Sequence, residues 1–233
     1  MNDFLFGVYP YIALSVFFVG SWIRYDREQY TWKADSSQLL SGKDMVLASN
    51  LFHIGIIGIF CGHFVGLLMP HAFWEAIELS SLGKQYIAMI GGGILGITCL
   101  IGGTMLMKRR LTNPRVRAAS RTSDIFILGL LLVTLVFGLF TTFVSAGHAA
   151  EGDAEVMMTL AAWAKSIVLL SPQPELVASV ELVFAIHLFF GMTIFIVFPF
   201  TRLVHVWSFP LTYVGRAYQI VRSKRRKPVD VDI

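Results

Sequence analysis

Residues 50–70 read NLFHIGIIGIFCGHFVGLLMP, and this stretch decides the fold. It contains no charged side chain over a length that crosses a bilayer, which takes about 20 apolar residues of helix. Yet it holds two of the chain's six histidines, His53 and His63, and glycines at 55, 58, 62 and 66. A neutral imidazole in hydrocarbon loses its water partners, so a histidine at that depth marks a ligand, a proton relay or a partner across a helix bundle. Ten residues of helix rise about 15 Å, half the hydrocarbon thickness, and turn the two rings by roughly 80°. One histidine therefore lies toward each membrane face, and both can look into the same interior. The glycines at 58, 62 and 66 strip side chains from one stripe. That stripe either admits a flat cofactor or packs closely against another helix.

The rest of the chain shares this character. Its 233 residues are 55% hydrophobic and 15% charged, with a mean hydropathy of +0.67, outside the range of soluble domains. Five continuous apolar runs are long enough to span: Phe4 to Ile23, Met45 to Met69, Tyr86 to Met107, Ile125 to Ala146, and Ser179 to about Trp207. A β-barrel would show short alternating segments instead. The expectation is an all-α integral membrane protein, with five transmembrane helices in residues 1–207 and a basic tail over 208–233. Met1-Asn2-Asp3 supplies no basic n-region and no small-residue cleavage site follows, so the first helix is expected to remain.

Charge sets the orientation. Seventeen of the nineteen Lys and Arg residues fall within 24–44, within 108–123 or after Phe200, and the other two, Lys84 and Lys165, fall on the opposite side. The positive-inside rule places the N-terminus outside and the C-terminus in the cytoplasm. The net charge of +4 is thus a topology signal and not a nucleic-acid footprint, since no soluble domain is present to enter a groove. Cys61 and Cys99 form neither a C-x-x-C-H haem attachment nor an iron–sulfur or zinc cluster, so any haem is held non-covalently.

Between the helices, Tyr25, Tyr30 and Trp32 in the 24–44 loop suit either solvent or a docked partner. Residues 71–85 read as a short interfacial amphipathic piece ending at Lys84, and residues 157–170 as an apolar patch along the surface. Helix four, without an ionisable residue from Ile125 to Ala146, reads as scaffold. Pro10 and Pro199 are expected to bend the first and fifth helices.

Helix five adds His187 and His205. Eighteen residues make five turns, which points both rings the same way, and Gly191 clears space one turn from His187. Helix two runs outward and helix five inward, so His53 pairs with His205 near the cytoplasmic face and His63 with His187 toward the exterior. Opposed imidazoles at two depths are what two bis-histidine haems between helices two and five require. The other reading is four histidines hydrogen-bonded in a core. The rises differ, about 15 Å on helix two against about 27 Å on helix five, so tilt and the Pro199 bend must absorb the mismatch. Arg109, Arg110 and Arg202, at the inner interface, suit haem propionates. His71 and His148 lie at external edges and are poor ligands.

Three stretches, YPYIALSVFFVGSWIRYDREQYTWKADSSQ at 9–38, LASNLFHIGIIGIFCGHFVGLLMPH at 47–71 and HLFFGMTIFIVFPFTRLVHVWS at 187–208, resemble the gamma subunit of respiratory nitrate reductase. That family is a dihaem cytochrome b of the bacterial cytoplasmic (inner) membrane. The resemblance implies that His63 and His187 bind a distal haem b, and that His53 and His205 bind a proximal one. It implies that quinol, menaquinol or ubiquinol, is oxidised beside the distal haem, with Lys84, Gly62 and His63 at that site. By position, Glu75, Glu78 or His71 would accept the protons. Electrons would pass to an iron–sulfur beta subunit and then to a molybdenum alpha subunit that reduces nitrate. Competing readings are a dihaem subunit of a formate dehydrogenase or hydrogenase, or a non-redox membrane anchor or transporter.

Overall fold

The computed structural model describes residues 1–32 and 43–208. The basic tail beyond Ser208 and the 33–42 part of the first inner loop lie outside the described residues. Five helices are long and apolar enough to cross a membrane: Asp3–Arg27, Met45–Leu68, Ser81–Thr112, Thr122–Ala150 and Leu182–Phe200. No strand occurs among the described residues.

The first span opens as a π-helical turn, Asp3–Val8, and continues as α1, Tyr9–Arg27. Pro10 stands just after the π-helical turn gives way to α1, so the winding of the span changes beside it. The second span is α2, Lys43–His63, which loosens into a π-helical turn, Phe64–Leu68, directly after His63. The short α3, His71–Ala76, follows. The third span, α4, is Ser81–Thr112 and outruns its apolar core at both ends. The Ser80 hydroxyl accepts the Gly83 N–H at 3.0 Å and starts it. Asn113 ends it and caps α5, Pro114–Ala118, by accepting from Arg115 and Val116. Asp124 starts the fourth span, α6 (Thr122–Ala150), by accepting the Arg121 N–H at 3.1 Å.

Beyond α6 come α7, Glu155–Val168, and α8, Glu175–Ala178. The apolar patch at 157–170 turns part of its face onto the start of the chain. Trp163 Nε1 donates to the Phe6 carbonyl at 2.9 Å, and Phe6, Trp163, Ile167 and Val177 bury one another.

The fifth span corrects the continuous run expected from Ser179 to Trp207. Here α9 covers Leu182–Val197 and stops, because Pro199 lacks an amide hydrogen and its ring crowds the preceding turn. The chain goes on as a 3₁₀ turn, Phe198–Phe200, an extended Thr201, and a second 3₁₀ turn, Arg202–Ser208. His187 and His205 are therefore not five turns apart on one rod. From His187 to Val197 is ten residues of helix, about 15 Å, the same rise as from His53 to His63. The remaining eight residues to His205 leave α-helical geometry, so the rise of about 27 Å for a continuous α-helix does not apply.

Packing runs as an arc. α2 packs on α4, α4 on α6, α6 on α9, and α9 on α1. Glycines let the backbones meet: a Cβ at Gly102 would collide with the Phe52 amide nitrogen, and one at Gly55 would lie 2.6 Å from Cys99 Cβ. The intervening α4 and α6, not direct packing, bring α2 and α9 face to face.

Candidate functional site

Four histidines meet in two pairs where α2 faces α9 and the segment after it, with His53 and His63 exposed and His187 and His205 half-buried. The His63 and His187 rings have centroids 6.0 Å apart, and the His53 and His205 rings 6.4 Å apart. Each ring makes the same kind of bond. His63 Nδ1 donates to the Ile59 carbonyl at 2.9 Å, His53 Nδ1 to the Ser49 carbonyl at 2.7 Å, and His187 Nδ1 to the Thr134 carbonyl at 3.0 Å. His205 Nδ1 donates to the Arg202 carbonyl at 2.5 Å. A carbonyl only accepts, so the proton sits on Nδ1 in all four. Nε2 keeps its lone pair, which is the tautomer a metal ligand needs.

The chemistry these residues offer is narrow. Among the described residues no three His, Cys, Asp or Glu side chains gather as they would around a bare metal ion. Two nitrogens per pair leave most of a coordination sphere to a group the chain does not supply. A metal–imidazole bond of about 2 Å on each side, plus about 1 Å from nitrogen to ring centre, sets the centroids about 6 Å apart. Both pairs meet that spacing, so His53 with His205 and His63 with His187 could each hold the iron of a porphyrin, which would supply one-electron chemistry.

The glycine stripe of α2 divides. Cβ atoms at Gly55 and Gly58 would meet Cys99 and Leu95 at 2.6 and 2.7 Å, so that part packs against α4. At Gly62, Gly66 and Gly191 an added Cβ would meet nothing within 4 Å. Close packing thus accounts for Gly55 and Gly58, while Gly62, Gly66 and Gly191 face open space.

Helix four supplies part of the site and is more than scaffold. Besides the Thr134 carbonyl, it presents Gly138, where a Cβ would lie 2.9 Å from His187 Cε1. Sequence reasoning missed both residues, since a carbonyl leaves no mark in the sequence and Gly138 looks like any other glycine in an apolar run.

Lys84 is 6% exposed, at the α3–α4 corner. Its Nζ lies 4.8 Å from the centre of the Trp74 ring, a cation–π contact. A small cavity there is lined by His71, Trp74, Glu75, Leu79, Ser81, Lys84 and Met158. His71 Nδ1 lies 3.1 Å from Glu75 Oε1. Glu78 is not among the lining residues and takes a left-handed backbone, φ 54°. His148 pairs with Glu181 at 2.8 Å, apart from both histidine pairs.

At the opposite end, Arg110 and Arg202 converge on Asp124. Arg110 Nη1 lies 3.3 Å from Oδ2 and Arg202 Nε 3.3 Å from Oδ1, with the carboxylate 4% exposed. Two guanidinium groups thus share one buried carboxylate. Arg24 reaches from α1 to the break after α9, where its Nη1 donates to the Pro199 and Thr201 carbonyls at 2.6 and 2.8 Å. Val204, 0% exposed, anchors the same segment against Phe17 and Phe198. Burial pushes the His205 imidazole below its ordinary pKa, which favours the neutral form.

Comparison with known proteins gives a consistent picture. The family model described as nitrate reductase gamma subunit matches residues 2–224. The respiratory nitrate reductase 1 gamma chain of Escherichia coli K12 is 51% identical, covering 96% of this chain and 98% of that one. The respiratory nitrate reductase 2 gamma chain of the same organism is 53% identical over 97% and 98%. The nitrate reductase gamma chain of Bacillus subtilis 168 is 37% identical over 96% and 99%.

Proposed function

Because the chain belongs to the nitrate reductase gamma-subunit family, we propose that it is the quinol-oxidising membrane subunit, holding two haems b and passing electrons inward. The observation that carries this reading is the set of four imidazoles, each with Nδ1–H given to a backbone carbonyl and Nε2 free, in two pairs with centroids 6.0 and 6.4 Å apart. His63 and His187 hold the distal haem, and His53 and His205 the proximal one. When bound, the haems supply one-electron transfer between the two levels of the bundle.

This chain's own residues then have defined tasks. The carbonyls of Ile59, Thr134, Ser49 and Arg202 fix ring tautomer and direction. Gly62 and Gly191 leave room for a flat group. Arg109, Arg110 and Arg202 are the partners for propionates, a reading supported by the gathering of Arg110 and Arg202 at the arginine-rich end of the bundle.

Lys84, with Gly62 and His63, binds the quinol. Its ammonium donates to a quinol oxygen, and His71 and Glu75, which share the cavity, take the two protons that quinol releases with its two electrons. The basic bias of the loops supports placing the N-terminus and Lys84 outside and the arginine-rich end in the cytoplasm of a bacterial inner membrane. Protons then leave outside while electrons cross inward, a charge movement worth about 2.3 kcal/mol per 100 mV. An iron–sulfur beta subunit and a molybdenum alpha subunit receive them.

The test is quinol-driven reduction of the purified complex followed by visible spectroscopy. Two b-type components should be reduced by quinol, and Lys84→Ala should slow that step while leaving both components in place. A preparation without haem absorbance would sink the reading.

A further inference from the structure

His205 is the one histidine of the four outside regular helix. It sits in a 3₁₀ turn after the break at Pro199, and 3₁₀ turns hold their geometry poorly on their own. Two charged tethers from other helices grip the segment. Arg24 takes its first half through the Pro199 and Thr201 carbonyls, and Asp124 takes its second half through Arg202.

Asp124 is unusual for a residue in the first turn of a helix. Capping is complete with the Arg121 N–H on Oδ2, and an exposed carboxylate would serve as well. Instead it is 4% exposed, with Arg110 also on Oδ2 and Arg202 on Oδ1. A buried carboxylate needs charged partners, and Arg202 supplies one as an ion pair on the oxygen that Arg110 and the Arg121 amide leave to it. Arg202 in turn has two ends in use. Its guanidinium meets Asp124, and its own carbonyl accepts the His205 Nδ1–H.

We propose that Asp124 is a positioning residue for His205: by holding Arg202, it fixes the carbonyl that sets the tautomer and aim of that ligand. The inference rests on the reading of His205 as an iron ligand. It extends that reading to a helix-four carboxylate that touches neither histidine pair.

The experiment uses the full membrane complex and reads the two haems separately, by visible spectrum and redox titration. Asp124→Asn should diminish the His53/His205 component or shift its midpoint potential, with the His63/His187 component unchanged. Arg202→Gln should do the same, and the double variant should be no worse than either single one, because both act on one chain of contacts. Wild-type spectra and potentials in Asp124→Asn would overturn the proposal. So would effects that add in the double variant, which would mean that Asp124 acts on the haem by its charge alone. Equal loss of both components would also overturn it, as general instability. If Asp124→Asn does not insert, Asp124→Glu, which keeps the charge but moves the carboxylate by one methylene, should shift the midpoint potential of the His53/His205 component alone, and an unchanged potential would overturn the proposal. His205→Ala separates the layers. If it leaves both haems, the ligand reading itself fails; if it removes one while Asp124→Asn is silent, only the positioning role fails.

Discussion

The two histidine pairs reach nearly equal ring separations, 6.0 and 6.4 Å, by different construction. His63 and His187 both stand on membrane helices, and the second ring is pressed against Gly138 and bonded to a carbonyl of the neighbouring helix. His53 stands on a helix too, but His205 hangs on a segment that has left helical geometry. Its ring bonds to a carbonyl only three residues back in that same segment. One pair is set by helix periodicity and close packing, the other by tethers of long sequence separation. The difference teaches where each can fail. Overpacking threatens the first, and loss of a charged anchor threatens the second.

The largest effect should come from the four histidines. His63→Ala or His187→Ala should remove one haem component entirely and abolish quinol oxidation, as measured by difference spectra and quinol turnover. Gly138→Leu should follow closely. Its side chain would enter the space of the His187 ring at a cost of about 1–3 kcal/mol in overpacking, and occupancy of that one site should fall while the tethered pair stays loaded. Lys84→Ala should lower quinol turnover by about tenfold or more, the worth of one charge-assisted hydrogen bond, with both spectra intact. Arg24→Ala should be the mildest. It leaves the Pro199 and Thr201 carbonyls without their guanidinium donor, at a cost of about 1–3 kcal/mol, and should loosen only the His53/His205 component under thermal or denaturant challenge. If Gly138→Leu and Arg24→Ala struck the same component, the contrast between the two constructions would fall.

Much of this was legible from residue type and spacing. Apolar length gave five spans, and the histidine-bearing stretches 50–70 and 187–208 indicated which rings would meet. Boundaries read from hydropathy were short for α4 and α6, because caps at Ser80 and the Asp124 carboxylate extend a helix past its apolar core. The fifth span was read too long. Phe198 to Trp207 is apolar enough to continue, and only the backbone chemistry of Pro199 stops it, so an expected bend became an ending. The site's supports were the least visible part. Thr134 acts through its carbonyl, Gly138 through the side chain it lacks, and Arg24 and Asp124 through partners far along the chain. Such contacts have no local pattern. Arg110 and Arg202 were singled out for their charge, but the carboxylate they share lay at the edge of a helix read as inert.

The central claim is the pairing itself, and redox-resolved difference spectra of the four single His→Ala variants in the assembled complex test it most directly. The account predicts that His53→Ala and His205→Ala remove the same b-type component, and that His63→Ala and His187→Ala remove the other. Loss of one component by both His53→Ala and His63→Ala, or retention of both components in any of the four, would contradict it.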